Sequence, residues 1–472
     1  MQALYQLSYS PLRCAALIEG LPRGDVDNIN APSGASPNRF RSVRTGPVTS
    51  IFVTVIALSS ARRPTLAAAS VCVLSFTAFW MAQRAADVSM IDLMVYRAEG
   101  ETVRAGADLY AMRTTKANLL TTYPPFAALL FTPLTLLGVP EMRALATAGN
   151  LLLLVAFVDM SLRLTHPHMD RRSATLWVAA AAVWCEPVWT TLRYGQINLL
   201  LAVAVLWDIT RREGHRWAGA GIGCAAAVKL TPALFALFLL IAGLVRARRE
   251  GWNPWLRQAA TAAAVFLGTT FAAAAVLPYD SQRYWTRMVF AAGRVGHAED
   301  TANQSLRGVL ARLLHTPDPG PWWVVAAALV AVAGLAVSVG AALRGDRACA
   351  VVACAATALL ISPVSWSHHW VWCVPMVLLL AARGSRGRAA AAGLVFCSYA
   401  LWWVPHGPGR LELAQNSGQM VLSALYSLTA ATVLVTLWRM NRTVSECSAR
   451  PGAARRSAPL RALCTSRWGR PL

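Results

Sequence analysis

Between residues 64 and 438 the chain alternates apolar stretches with short charged breaks. Several of these stretches approach the roughly 20 residues that a helix needs to cross a bilayer. Apolar intervals bounded by charge run over 64–83, 142–163, 174–192, 195–210, 217–229, 231–245, 258–278, 321–343, 348–366, 369–382, 389–404 and 419–438. Only 14% of residues are charged and 56% are hydrophobic, against the roughly 25% charged of a soluble domain. The pattern predicts an all-α, polytopic integral membrane protein of about 12 transmembrane helices. The segment "YPPFAALLFTPLTLLG" (Tyr123–Gly138) is apolar but broken by three prolines. It reads as a re-entrant or interfacial piece, because irregular backbone at membrane depth normally lines a cavity.

The net charge of +22 raises nucleic acid as a partner, but the distribution of the charge excludes it. With the N-terminus placed in the cytoplasm, the inner segments hold 30 of the 44 Lys and Arg residues. That asymmetry orients a membrane protein N-in and C-in. A second feature supports the alternation. The 29-residue stretch "WAGAGIGCAAAVKLTPALFALFLLIAGLV" is basic at both ends, with "RREGHR" before it and "RARRE" after it. A single span cannot return its ends to one side, whereas two short helices meeting at "KLTP" can. Pro232 favours a break there, since a proline disfavours helix in the residue before it. Residues 1–63 and 441–472 read as disordered basic cytoplasmic tails flanking a transmembrane domain over 64–440. "SIFVTVIALSSA" (Ser50–Ala61) suits an interfacial helix, and no cleavable signal pattern begins the chain. The ten cysteines form no C-x-x-C pair and read as small apolar packing residues.

With this topology the unusual polar residues gather on the outer face: Asp92, Tyr96, Arg97, Tyr123, Glu186, Arg193, Gln196, Asn198, Lys229, Asn303, Gln304, Arg307, His368 and His369. Ionisable groups at membrane depth are costly and usually functional. Each also has a plainer reading. Asp92 lies in the amphipathic stretch "MIDLMVYRAEG" and is otherwise a solvated loop carboxylate. Lys229, between "AAAV" and "LTPALF", needs a counter-charge or an anionic ligand unless it snorkels to the interface. Arg193, Gln196 and Asn198 in "RYGQINLLL" suit hydrogen bonding at a helix end. "NQSLRG" is a polar island, with a weak glycosylation sequon at Asn303. Interfacial anchoring explains the tryptophans of "SPVSWSHHWVW" but not its two histidines. Adjacent histidines on a helix diverge by about 100°, and no metal-binding His spacing appears.

"IDLMVYRAEG…AGADLY", "TYPPFAALLFTPL", "YGQINLLLAVAVL", "GIGCAAAVKLTPALFALFLL", "NQSLRGVLARL" and "ISPVSWSHHWVW" occur in this order. Together, over roughly residues 64–440, they resemble glycosyltransferase family 87, the actinobacterial polyprenol-phosphate-mannose-dependent α-(1→2)-mannosyltransferases of the C-type superfamily. The resemblance implies an enzyme in the cell membrane, active on its outer face. It takes mannose from polyprenyl-phosphate-mannose and passes it to a hydroxyl of a lipid-anchored glycan, of phosphatidylinositol mannoside or lipomannan type, with inversion. It implies no cofactor and no metal.

A phosphate leaving group needs cations, and Lys229, Arg193 and Arg307 are available. A sugar hydroxyl needs a base. Asp92 matches the acidic residue that C-type enzymes carry shortly after the first span, and His368 and His369 are the competing bases. Tyr96, Tyr123, Gln196, Asn198, Asn303 and Gln304 are the expected substrate contacts. An arabinofuranosyltransferase or a protein O-mannosyltransferase fits the same outline. A lipid-linked sugar transporter or flippase should show internal repeats and ionisable residues along a path from both sides. No convincing repeat is found, and the inner loops are short and merely basic.

Overall fold

The computed structural model describes residues 65–449 apart from Lys116, with the backbone alone for 443–449. The expected basic tails and the Ser50–Ala61 segment lie outside the described residues, except for 441–449 of the C-terminal tail, where the last helix continues. The fold is all-helical save for one two-residue-per-strand hairpin, β1 (Arg113–Thr114) with β2 (Leu119–Leu120).

Helix α1 (Thr65–Ala85) is followed by the amphipathic α2 (Ile91–Arg104), the short α3 (Pro125–Phe131) and α4 (Val139–Thr165). Next come α5 (Arg171–Ala182), α6 (Glu186–Tyr194), α7 (Asn198–Ile209), α8 (Ala220–Val228), α9 (Ala233–Glu250), α10 (Pro254–Val276) and α11 (Pro278–Thr286). After a loop, α12 (Leu306–Leu313), α13 (Pro321–Leu343), α14 (Arg347–Ile361), α15 (Cys373–Ala382), α16 (Arg386–Cys397), α17 (Ser417–Ser423) and α18 (Leu425–Ala449) complete the chain.

Each of the twelve apolar intervals contains helix, but their lengths differ from the expectation. Among the described residues four helices, α1, α4, α10 and α13, are long and apolar enough to cross a membrane. The number reaches six if the bent pairs α6–α7, at 116°, and α17–α18, at 69°, each count as one span. Several of the others, α7, α8 and α15 among them, are shortened at polar breaks, and the breaks around Gln196, Lys229 and His369 carry unusual residues. Helix α8 has 9 residues, about 14 Å at 1.5 Å per residue.

The break expected at "KLTP" is present. Helix α8 stops at Val228, Lys229 is extended at φ −150° and ψ 127°, and α9 begins after Pro232. The two basic ends meet at one end of α10. A side chain on Gly219, at the start of α8, would strike Gln258 and Ala262, and one on Gly243, late in α9, would strike Leu256. Lys229 therefore tips the opposite end of this hairpin. Small residues permit the contact. A Cβ on Gly223 would fall 2.5 Å from the Ala262 carbonyl oxygen and 2.9 Å from Val265, so α8 and α10 approach backbone to backbone, as small residues allow between membrane helices.

The proline-rich segment is not a straight helix. Helix α3 gives way at Thr132 to a 3-10 turn through Leu136 and packs on α2, where Gly100 leaves no room for a Cβ beside Phe131 and Thr132. The Arg97 guanidinium donates to the Leu134 and Leu137 carbonyl oxygens at 3.1 and 2.5 Å, which satisfies backbone acceptors freed by that irregularity.

A second polar centre holds the histidine segment. The buried Glu186 carboxylate accepts from Thr190 Oγ1 and Ser367 Oγ, both at 2.8 Å, from Trp402 Nε1 at 3.2 Å and from Tyr426 Oη at 2.8 Å. One side chain thus ties α6 to the 3-10 turn Ser367–Trp372, the loop at Trp402 and α18. We expect Gly223→Ala to lower the thermal unfolding midpoint of the detergent-solubilised protein by several degrees. Its neighbour is backbone, and overpacking costs about 1–3 kcal/mol. Gly149→Ala, whose Cβ would meet open space, is the matched control.

Candidate active site

The turn between α6 and α7 sets the geometry. Gly195 closes α6 in the left-handed region at φ +67°, and Gln196 and Gly195 donate their N–H groups back to Thr191 and Leu192 carbonyls at 2.9 and 3.1 Å. A Cβ at Gly195 would lie 2.7 Å from Leu93 of α2, so this turn needs glycine for both its φ and its close approach. The sharp turn brings Gln196 to α2 and begins α7 at Asn198.

Gln196 Nε2 donates to Asp92 Oδ2 at 2.7 Å. Its Oε1 accepts from Tyr96 Oη at 2.9 Å and from Tyr123 Oη at 3.4 Å, and the two tyrosine hydroxyls are 2.9 Å apart. An ionised carboxylate only accepts, so Asp92 fixes the amide orientation: the NH₂ must face it, and Oε1 is left to the tyrosine hydroxyls. The other Asp92 oxygen accepts no hydrogen bond from any described residue. Tyr96 stacks on Phe131 with centroids 4.3 Å apart, which sets the aromatic wall beside Asp92.

Lys229 Nζ donates to Asn198 Oδ1 at 3.2 Å and meets His369 Nε2 at 2.8 Å, and it lies 5.7 Å from the centre of the Tyr123 ring. Asn198 Nδ2 and Thr191 Oγ1 both donate to the His368 carbonyl oxygen, at 3.0 and 2.7 Å. Asp92, Tyr96, Tyr123, Gln196, Asn198, Lys229 and His369 therefore form one polar cluster, with His368 behind it.

The roles of the two histidines separate. An ammonium facing His369 Nε2 makes that nitrogen the acceptor and leaves it no lone pair for a substrate hydroxyl. His368 is buried, with its ring edge-on to Tyr194 and to His369, and its Nε2 has no partner among the described residues. Asp92 is only half-buried, yet desolvation raises its pKa to about 6, against the lowering effects of the Gln196 hydrogen bond and the Lys229 charge. It remains ionised at neutral pH and is a stronger base than an ordinary carboxylate.

Four expected residues stand differently. Arg193, half-buried in the last turn of α6, has no ion-pair or hydrogen-bond partner among the described residues. Arg307 is turned to Asp318, 3.9 Å away, and to the Trp323 ring; it is not joined to the cluster. Asn303 and Gln304 are fully buried. Asn303 Oδ1 accepts from the N–H groups of Ser305 and Ser365, and Gln304 spans the Thr301 and Ser423 carbonyls and the Tyr426 N–H. Asn303 fastens the "NQSLRG" loop to the strand-like segment before the histidines and Gln304 fastens it to the α17–α18 junction, and neither is bonded to the cluster. Buried Arg312 completes this loop by donating to the carbonyls of Glu299, Asp300, Asn303 and Ser423.

Sequence reasoning missed Glu99. It lies three residues after Tyr96 and seven after Asp92, which is one face of a helix, and that spacing was the available signal. Glu99 is wholly buried and neither carboxyl oxygen has hydrogen-bond geometry with a described residue. Burial pushes its pKa up to about 8, with the Thr121 side chain opposing. The folded chain then holds a proton between about pH 4.5 and 8 that the unfolded chain releases. This group's contribution to stability is complete below about 4.5 and is lost as the pH rises through about 8. We expect Glu99→Gln to flatten the fall in thermal unfolding midpoint between pH 6 and pH 9, as read by a detergent-compatible unfolding assay.

A family model described as Glycosyltransferase family 87 matches residues 121–363. A Mycobacterium tuberculosis protein described as a polyprenol-phosphate-mannose-dependent alpha-(1-2)-phosphatidylinositol pentamannoside mannosyltransferase is 34% identical over 392 residues, or 80% of this chain and 84% of that protein. A Mycolicibacterium smegmatis protein described as a polyprenol-phosphate-mannose-dependent alpha-(1-2)-phosphatidylinositol mannoside mannosyltransferase is 36% identical over 384 residues, 74% of this chain and 83% of that one. No solved structure matches the chain. The family match within the helical domain and the identity over most of both chains agree with the motifs that converge on the cluster, and the chain belongs to glycosyltransferase family 87.

Proposed function

We propose that this chain is a membrane mannosyltransferase that moves mannose from polyprenyl-phosphate-mannose to a hydroxyl of a phosphatidylinositol mannoside, forming an α-(1→2) linkage. The donor and acceptor classes follow the descriptions of its relatives. One observation carries the residue assignment: a half-buried carboxylate with one oxygen unoccupied shares a cluster with an ammonium that no carboxylate pairs within 4.0 Å among the described residues.

In this reading the bond between the sugar's C1 and the phosphate oxygen breaks, and polyprenyl phosphate departs with the bonding pair. Lys229 and the unpartnered Arg193 hold that phosphate, and fixed cations stabilise the charge that develops on it. The acceptor hydroxyl attacks C1 from the opposite face, and its proton passes to the open oxygen of Asp92. One displacement inverts the anomeric centre, so no glycosyl-enzyme forms. Tyr96 and Gln196 aim the carboxylate. Tyr123, Asn198 and His369 line the space between base and cation. Arg307, Asn303 and Gln304 act on substrate only through the loop they brace.

The same reading keeps twelve membrane crossings, short helices included, with both termini inside. It takes the Tyr123–Gly138 segment as re-entrant and sets the cluster on the outer face of the cell membrane. Two features support it: the excess of basic residues in the loops at the other end of the helices, and the return of both ends of the α8–α9 hairpin to α10. Outside the cytoplasm sugar nucleotides are absent, which suits a lipid-borne donor.

Asp92→Asn should keep the packing and the Gln196 contact but lose the proton acceptor. We expect turnover at saturating donor and acceptor to fall about 10²–10⁴-fold, measured with radiolabelled polyprenyl-phosphomannose and a panel of mannolipid acceptors. In the wild type, kcat/KM should rise with pH through about 6 as the carboxylate ionises. A variant within tenfold of wild type would move the base elsewhere in the cluster. Transfer to none of the mannolipids would reject the acceptor class.

A further inference from the structure

Three free thiols stand beside the polar centre that holds the histidine segment, and the reaction proposed above uses none of them. Cys185 is the residue before Glu186 at the start of α6, and Cys397 is the last of α16. Their sulfur atoms lie 3.4 Å apart. Cys373, the first residue of α15, is also within hydrogen-bond reach of Cys185. The separation of 212 positions between Cys185 and Cys397 hides the pair from any sequence motif, so both read as packing residues.

The two segments that carry this pair are already joined by other bonds. Tyr399 Oη donates to the Trp184 carbonyl oxygen at 3.3 Å, and Trp402 Nε1 donates to the Glu186 carboxylate at 3.2 Å. Trp184 and Trp403 are exposed here and Cys397 is half-buried, whereas Cys185 and Cys373 are buried. Exposed tryptophans suit the depth at which a membrane protein meets water. Helices α5 and α16 both run towards this seam from basic starts, at Arg171 and Arg172 and at Arg386 and Arg388. In the topology proposed above the seam faces outward, where disulfides form and persist.

We propose that Cys185 and Cys397 are a thiol pair that closes to a disulfide against a small disulfide oxidant, and that the bond locks the Glu186 centre on which the histidine turn rests. A disulfide brings its sulfurs to about 2.0 Å, so closure from 3.4 Å needs a shift of about 1.4 Å between two side chains. Cys397 is the thiol that an oxidant can reach first, since Cys373 is only 1% exposed. The Cys397 thiolate attacks one sulfur of the oxidant, the oxidant's S–S bond breaks, and one thiol leaves. Cys185 then attacks the Cys397 sulfur of that mixed disulfide and expels the second thiol. Two electrons pass from the protein to the oxidant, and the two cysteine protons end on the two departing thiols. The new bond ties α6 to α16 across a long loop, the case in which a crosslink restricts the unfolded chain most.

The full-length protein in detergent is held with oxidised glutathione or with dithiothreitol, denatured with a maleimide, digested and read by mass spectrometry. Oxidation should yield a peptide pair joined through Cys185 and Cys397, about 2 Da lighter than the two reduced peptides together. It should also raise the thermal unfolding midpoint by about 5 °C, and dithiothreitol should reverse both changes. Cys397→Ser should lose the crosslink and the rise while unfolding where the reduced wild type does, and Cys373→Ala should keep both. Neither readout involves donor or acceptor, so failure here is distinct from failure of the transferase reading. Maleimide on both cysteines after oxidation, or a Cys185–Cys373 crosslink in place of the expected one, overturns the proposal. A closed disulfide that leaves the midpoint unchanged also overturns it, because the pair would then lock nothing.

Discussion

The candidate site is organised around an ammonium that has no carboxylate within ion-pairing distance among the described residues. Lys229 Nζ is held by Asn198 Oδ1 and His369 Nε2, and the charge of Asp92 acts on it from further away. A cation in so apolar a chain requires acceptors, and each one comes from a different break in a helix. Lys229 stands where α8 stops before Pro232, Asn198 follows the Gly195 turn, and His369 lies in a 3-10 turn that Glu186 ties down. The short helices that depart from a simple count of spans are therefore the condition for building this site. Both groups within hydrogen-bond reach of the Lys229 amine are uncharged side chains, which is the arrangement the proposed phosphate site requires.

The carboxylate is prepared by a parallel device. The Asp92 carboxylate, an acceptor only, sets the orientation of the Gln196 amide, two tyrosine hydroxyls meet its oxygen, and the amide occupies one Asp92 oxygen and leaves the other open. Glu186, Asn303, Gln304 and Arg312 supply the rigidity behind this arrangement, each satisfying several buried backbone or hydroxyl groups. Partly satisfied networks of this kind are costly and fully satisfied ones rigidify. The groups gathered by Glu186, Asn303, Gln304 and Arg312 are of the second kind, whereas His368 Nε2 has no partner among the described residues.

Much of this was legible in the sequence because it follows from local rules. Apolar periodicity located the twelve helical intervals, and basic flanks with Pro232 located the break at Lys229. The polar residues of "IDLMVYR", "RYGQIN" and "SHHW" stood out against their apolar surroundings. Long-range pairing was not legible. Nothing in "NQSLRG" reveals that Asn303 turns inward to the segment before the histidines and Gln304 to the α17–α18 junction, because an amide reads the same whether it meets substrate or backbone. Arg307 looked like a phosphate ligand until Asp318 and Trp323 were seen beside it. Glu99 went unnoticed because a glutamate late in an amphipathic helix looks solvated, and only the tertiary structure shows it buried beside Thr121. Helices such as α8, α14 and α15 are shorter than their apolar intervals for the same reason: apolar composition does not show where tertiary hydrogen bonds will end a helix.

The claim that matters most is that base and cation face one donor from opposite sides. Determining the structure of the full-length protein in a lipid nanodisc with a non-transferable phosphonate analogue of polyprenyl-phosphomannose tests it directly. The account predicts the phosphonate oxygens within about 3 Å of Lys229 Nζ, as a charge-assisted hydrogen bond requires, with Arg193 nearby. The open oxygen of Asp92 should face the anomeric carbon on the side away from the phosphorus. A phosphonate seated against Arg307, with Lys229 still bound only to Asn198 and His369, would contradict it.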